Sequence, residues 1–130
     1  MQTNNYSNTR NYNNQFFGVD FFQKKCIINN DDYFLLAYEL ATILQIKKNI
    51  KITPYQICQW TYEIKKLVEY NNVSTERVQA VLDWYWNNIE KENIPLIESG
   101  RFFRLKFTSL ENIMKKENKK YFKNFRKDLY

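Results

Sequence analysis

The sequence contains no histidine, only two glycines and only two cysteines. The absence of histidine removes the commonest general base and metal ligand, together with the Ser-His and Cys-His nucleophile pairs. The two glycines, Gly18 and Gly100, are too far apart for a P-loop, and two are too few for a dinucleotide fingerprint. Two cysteines cannot form a zinc site alone. The sequence therefore predicts a protein that is not an enzyme and that has no metal or other cofactor.

Glycine and proline, two of each, are also too scarce for an all-β protein with its many tight turns. The sequence has no apolar run typical of a secretory signal or a transmembrane helix. Cys26 and Cys58 form no CxxC pair, and we expect both to be reduced thiols. These features favour a cytoplasmic protein that does not contact a membrane.

Positive charge is concentrated at the C-terminal end of the chain. Residues 101–130 contain ten Lys and Arg against three acidic residues, whereas residues 1–100 contain ten against eleven. The net charge of +6 therefore arises entirely in the last thirty residues. Such an asymmetry indicates a polyanionic partner.

The N-terminal thirty residues divide into two segments. Residues 1–15 contain six asparagines and no aliphatic residue apart from Met1, so we expect them to be disordered. Residues 16–30 change abruptly to aromatic and aliphatic residues. This second segment is either an arm that docks onto the domain or a short linear motif for a partner protein. The residues expected to make that contact are Phe16, Phe17, Phe21 and Phe22.

Three helices follow, each with a start signal and apolar residues at three- and four-residue spacing. Asp31 and Asp32 fit the N-cap of the first helix better than an acid pair or a metal site. Thr53 and Pro54 start the second, and Ser74 caps the third. The apolar stripes are Tyr33, Leu36, Ala37, Leu40, Ile43 and Leu44; Ile57, Trp60, Thr61, Ile64, Leu67 and Val68; and Val78, Val81, Leu82, Tyr85, Trp86 and Ile89.

The chain beyond the third helix is predicted to be broken at Pro95 and Gly100. Ser99 begins a helical turn or two, and the capping-box pattern T-S-L-E at 108–111 opens a final helix. We expect a helical domain over residues 31–117, followed by a basic aromatic segment, 118–130, that is helix, frayed helix or tail. The fold class is thus all-α, a small bundle of four to five helices.

Cations alternate with aromatic residues in two places, as in a surface that binds single-stranded nucleic acid. These two stretches are residues 101–107 and 115–127. In the first stretch, Phe103 and Phe107 can also be interpreted as core residues. Trp84, at the edge of its stripe, is available to a base or a partner, or lies at the rim of the core. The candidate nucleic-acid contacts are Arg101, Arg104, Lys106, Lys115, Lys116, Lys119, Lys120, Tyr121, Phe122, Lys123, Phe125, Arg126 and Lys127.

Four segments between Leu36 and about Lys116 carry a family resemblance. They are LAYELATIL, QICQW with Trp60, VSTERVQAVLDWYW and SGRFFRLKFTSL. Together they resemble the C-terminal domain of phage replication initiators, also called replisome organisers. The positions that match the ending of that domain are Ser99, Phe103, Arg104, Lys106, Phe107 and Leu110.

The resemblance implies contact with single-stranded DNA and recruitment of a replicative helicase or its loader. Such initiators usually carry a winged-helix origin-binding domain upstream, which the first thirty residues of this chain cannot form. We therefore expect a phage or mobile-element DNA replication protein without origin recognition. The alternative is a protein-interaction module or small virion component that docks through the aromatic arm. The oligomeric state is left open.

Overall fold

The computed structural model describes the backbone of residues 31–129 and the side chains of residues 32–120. Within that range the chain forms four helices and no strand, which confirms the predicted small all-α bundle. They are α1 (Asp31–Lys48), α2 (Pro54–Glu69), α3 (Thr75–Asn88) and α4 (Gly100–Leu129). The Asn-rich segment 1–15 and the aromatic arm 16–30 lie outside the described residues.

Side chains just before α2 and α3 fix where these helices start. Thr53 Oγ1 accepts a hydrogen bond from the Gln56 N–H at 3.2 Å, and the Gln56 side chain accepts one from the Thr53 N–H at 2.8 Å. Ser74 caps α3 in the predicted way, accepting from the backbone N–H three residues later at 3.2 Å. In contrast, α1 begins at Asp31, so Asp31 and Asp32 lie in its first turn rather than at its N-cap. Acidic residues there still complement the positive end of the helix dipole.

The ends of α1 and α2 have the same backbone conformation, which pairs carbonyl groups that a helix terminus would otherwise leave without a hydrogen bond. Asn49 and Asn72 have φ of 56° and 57°, in the left-handed region that asparagine tolerates better than most residues. The next residue, Ile50 or Val73, donates its N–H to a carbonyl six residues earlier at 3.2 Å. Each asparagine therefore reverses the chain and returns an apolar residue to the core.

The core lies between the four helices and contains nearly all of the predicted apolar stripes. Val68 and Trp86 are the exceptions among those positions, since both are only half-buried against the core. Helix α1 is buried on more sides than its stripe predicts, because it packs against α2 on one side and α3 on another. Tyr33 near the start of α1 donates its O–H to Glu69 at the end of α2, at 3.0 Å. These two helices are therefore antiparallel.

Helix α4 corrects one prediction. The chain does not break near Thr108: a single helix runs from Gly100 to Leu129, and the T-S-L-E pattern lies inside it. Thr108 and Ser109 are exposed mid-helix residues, while Leu110 continues a buried stripe. The apolar stripe has the same helical phase before and after the T-S-L-E pattern, so a continuous helix buries it on one side. A break at Thr108 would disrupt that burial. The segment 118–129, predicted as helix, frayed helix or tail, is helical.

Cys58, half-buried on α2, is disulfide-bonded, so the expectation of a reduced thiol is wrong for this residue. Cys26, the other cysteine of the sequence, lies outside the described residues. In the part of the chain that the structure describes, none of the helices combines the length and apolarity that crossing a bilayer requires.

Candidate nucleic-acid interface

The start of α4 is held close against α2. Ser99 Oγ accepts from the Phe102 N–H at 3.1 Å, and the Ser99 carbonyl accepts from the Phe103 N–H at 2.9 Å. Gly100 follows at the point of closest approach, where an added Cβ would lie 2.7 Å from Cβ and Cγ of Trp60. The serine caps the helix and the glycine lets it touch α2.

The inner face of α4 is part of the core. Phe103, Phe107 and Leu110 are buried, and the two phenylalanine rings meet edge to face with centroids 5.7 Å apart. The interpretation of Phe103 and Phe107 as core residues is therefore confirmed. Neither ring is available to stack on a base.

Both acidic residues of α4 within 100–120 face α3. Glu111 is buried and accepts two hydrogen bonds from Arg77, Nε to Oε2 at 2.9 Å and Nη2 to Oε1 at 2.6 Å. These bonds lower the pKa of the Glu111 carboxyl below its ordinary value, against the opposing effect of burial. Glu117 accepts from Trp84 Nε1 at 3.1 Å. The carboxylates of this part of α4 are thus directed inward.

The cations are left on the opposite side, which we call the outer face of α4. Its exposed cations are Arg101, Lys106, Lys115, Lys116, Lys119 and Lys120. At 1.5 Å per residue, they extend over about 28 Å of helix. Among the described residues, the one ion pair that involves any of them is a loose contact of 3.9 Å from Lys115 to Glu111. The outer face is a row of charges with few internal counterions.

Arg104 differs from the other cations predicted to contact nucleic acid. It is half-buried, and its Nε donates to Glu63 Oε1 of α2 at 2.7 Å. Lys66 also approaches Glu63, at 3.8 Å. Arg104 therefore links α4 to α2 and already has a counterion.

Most of the other predicted site residues have side chains that the structure does not describe, and Trp84 is the exception. The backbone of 121–127 is helical, but the side chains of Tyr121, Phe122, Lys123, Phe125, Arg126 and Lys127 lie outside the described set, as do Phe16, Phe17, Phe21 and Phe22. Trp84 is half-buried and its ring N–H is bonded to Glu117, which matches the rim position. It is not a free aromatic surface.

Two exposed apolar residues on the outer face were not predicted as site residues. Phe102 is 48% exposed and Leu105 is 54% exposed. If α4 is taken as one continuous helix in phase with Phe103 and Phe107, both positions fall away from the core. All four positions precede Thr108, so the helical turn predicted from Ser99 already contained this signal.

No protein-family model matches this chain, and neither a curated protein nor a solved structure matches it significantly.

Proposed function

We propose that the outer face of α4 binds nucleic acid, with single-stranded DNA as the preferred form. The observation that carries the proposal is the division of charge across the helix. Glu111 and Glu117 are turned toward α3, while six cations face solvent over about 28 Å. Phosphates could replace the missing counterions, releasing their own condensed cations.

Aromatic residues supply the preference for single strands. Phe102 is exposed beside Arg101 and Lys106, so its ring is accessible to an unpaired base. Base stacking on such a ring contributes about 1–3 kcal/mol and tolerates any sequence. Tyr121, Phe122 and Phe125, with Lys123, Arg126 and Lys127, extend the proposed interface along the same helix.

The biological role proposed for this binding is DNA replication initiation or primosome assembly in a phage or mobile element. It follows the resemblance to replisome organisers and includes contact with a replicative helicase or its loader. A cytoplasmic location in the bacterial host belongs to the same proposal. The disulfide at Cys58 counts against that location, because structural disulfides persist mainly in oxidising compartments. Alkylation of Cys58 in protein taken directly from the host would show which state is present.

The binding test is fluorescence anisotropy with a labelled oligothymidine across a salt series, compared with a duplex of equal length. Replacing Lys116, Lys119 and Lys120 by glutamine removes three cations that have no ion pair in the described part of the chain. Each phosphate contact with a single strand contributes about 0.7 to the salt slope, so the slope should fall by about 2.

The matched control replaces three exposed lysines elsewhere, Lys48, Lys51 and Lys91, by glutamine. This variant has the same net charge as the α4 variant. We expect it to keep the wild-type slope and most of the affinity. Equal losses in the two variants would show that only net charge matters, and no binding at low salt would reject the proposal.

A further inference from the structure

A groove runs between α1 and α3, on surfaces that the proposed interface does not use. Two cavities of about 250 Å³ and 270 Å³ lie along it, lined by successive turns of the two helices. Its apolar lining comes from Leu35, Leu36 and Ile43 of α1 and from Trp86 of α3, and Leu35 is 51% exposed. The groove follows both helices for about 15 Å, the length of roughly three helical turns. We call it the α1/α3 groove.

Negative charge dominates this groove. Glu39, Glu76 and Asp83 line it, and none of the three takes part in an ion pair among the described residues. One neutral amide, that of Gln79, donates to Glu39 at 2.7 Å and to Asp83 at 2.9 Å. The cation at one end is Lys47, whose Nζ lies 4.4 Å from the centre of the Trp86 ring. Within the described part of the chain, the carboxylates in the middle of the groove thus have no cationic partner.

The pKa of the Glu39 carboxyl is shifted by its burial in this groove. Burial raises the pKa of the Glu39 carboxyl above its ordinary value, and the nearby Asp83 carboxylate adds to the rise. In the part of the chain that the structure describes, no three side chains of metal-ligating types come together, so the carboxylates do not form a metal cage. The chemistry of the groove fits an extended cationic and apolar surface instead.

The outer face of α4 has that chemistry. Phe102, Leu105, Ser109, Asn112 and Lys116 recur at three- and four-residue spacing and all are exposed. This is the spacing by which one helix lays a stripe into a groove between two others. The stripe is apolar at Phe102 and Leu105, and cations flank it on both sides.

We propose that the α1/α3 groove of one molecule binds the outer face of α4 of a second copy of this chain. Charge and apolar character are complementary, and the two surfaces have similar lengths. Within one molecule they cannot meet, because α4 packs its inner face against α2 and α3. A three-turn contact lies at the small end of specific interfaces, below about 1,200 Å², so the association is weak and sensitive to salt. It shares a face with the proposed function but does not require nucleic acid.

Sedimentation velocity over a concentration series at low salt, without nucleic acid, tests the association. The groove variant carries Glu76→Lys and Asp83→Lys, and the helix variant carries Arg101→Glu and Lys116→Glu; all four positions are exposed. The wild-type sedimentation coefficient should rise with concentration, and each variant alone should lose that rise. An equimolar mixture of the two variants should regain it, because each then meets a partner surface of opposite charge.

A charge-matched control, Glu90→Lys with Glu92→Lys, changes two exposed carboxylates outside the groove and should associate like the wild type. A wild-type protein that stays monomeric at every concentration, or variants that associate as it does, would overturn the proposal. So would a mixture that fails to associate. The groove variant and this control gain the same charge and both retain the outer face of α4, so equal oligothymidine binding by the two reports on the proposed function separately from self-association.

Discussion

Arg77 of α3 and Glu111 of α4, thirty-four positions apart in the chain, are joined by two parallel hydrogen bonds of 2.9 Å and 2.6 Å. The guanidinium carbon also lies 5.9 Å from the centre of the Phe107 ring. The Glu111 side chain is 6% exposed and that of Arg77 is 46% exposed, so the carboxylate is the buried partner. This pair turns the charge of Glu111 inward and thereby keeps it away from the outer face of α4.

Removal of either partner should destabilise the protein, and the two effects should not add. Arg77→Ala leaves a buried carboxylate without its donor, whereas the double variant Arg77→Ala with Glu111→Ala removes that cost. Because Arg77 is half exposed to solvent, we expect a coupling energy of about 1–2 kcal/mol. Urea unfolding of the four proteins of the cycle measures it. A coupling energy near zero would mean that the pair contributes nothing to stability.

The same pair predicts acid sensitivity. In the folded protein the pKa of the Glu111 carboxyl is lowered from 4.5, first by its hydrogen bonds from Arg77. A lowered folded pKa contributes stability that is present above the unfolded pKa and is lost as the pH falls through the folded pKa. Between about pH 6 and about pH 3, the wild type should therefore lose more stability than Glu111→Gln. Parallel pH profiles for the two proteins would contradict this assignment.

Tyr85 makes the connection between α3 and α4 part of the core. Its O–H is fully buried, donates to the Pro95 carbonyl at 2.9 Å and accepts from the Ile97 N–H at 2.8 Å. Tyr85→Phe leaves both backbone groups without their partner, so the free energy of unfolding should fall by about 1–3 kcal/mol. Tyr55→Phe, at a residue 60% exposed, is the control and should change little. Thermal and urea unfolding of both variants measure the difference.

Local signals in the sequence were enough for the helix starts. Thr53 and Ser74 act through bonds to residues three positions away, so a short window contains all the information that a cap requires. The pattern at Thr108 has the same local form, but there the continuous apolar stripe on both sides decides the outcome. Arg77 and Glu111 carry no local mark of their partnership. The division of charge on α4 could not be predicted without knowing which helix packs beside it.

The contact between Gly100 and Trp60 predicts that alanine is less stable than glycine at this position, the opposite of the usual order in a helix. Alanine is normally favoured over glycine within a helix by about 1 kcal/mol. At Gly100, however, a Cβ would lie 2.7 Å from two Trp60 atoms, too close without a shift of α4 against α2. Gly100→Ala should therefore lose about 1–3 kcal/mol, as overpacked core variants do. Ser109→Ala, at an exposed position of the same helix, is the control, and a stabilised Gly100→Ala would refute the close packing.

Arg101 and Arg104 lie on the same helix, but their substitution should have different effects. Loss of Arg104 should reduce stability, and loss of Arg101 should weaken nucleic-acid binding. Arg104 is paired with Glu63 at 2.7 Å, so Arg104→Gln should lower the free energy of unfolding by about 1–2 kcal/mol. Its affinity for oligothymidine should stay nearly unchanged, because the pair already neutralises that cation.

Arg101 is exposed and has no ion pair among the described residues. Arg101→Gln should leave stability within about 0.5 kcal/mol of wild type. It should also reduce the salt slope of binding by about 0.7. Urea unfolding and anisotropy on both variants test this separation, and a salt slope that falls equally in both would show that Arg104 also reaches the phosphates.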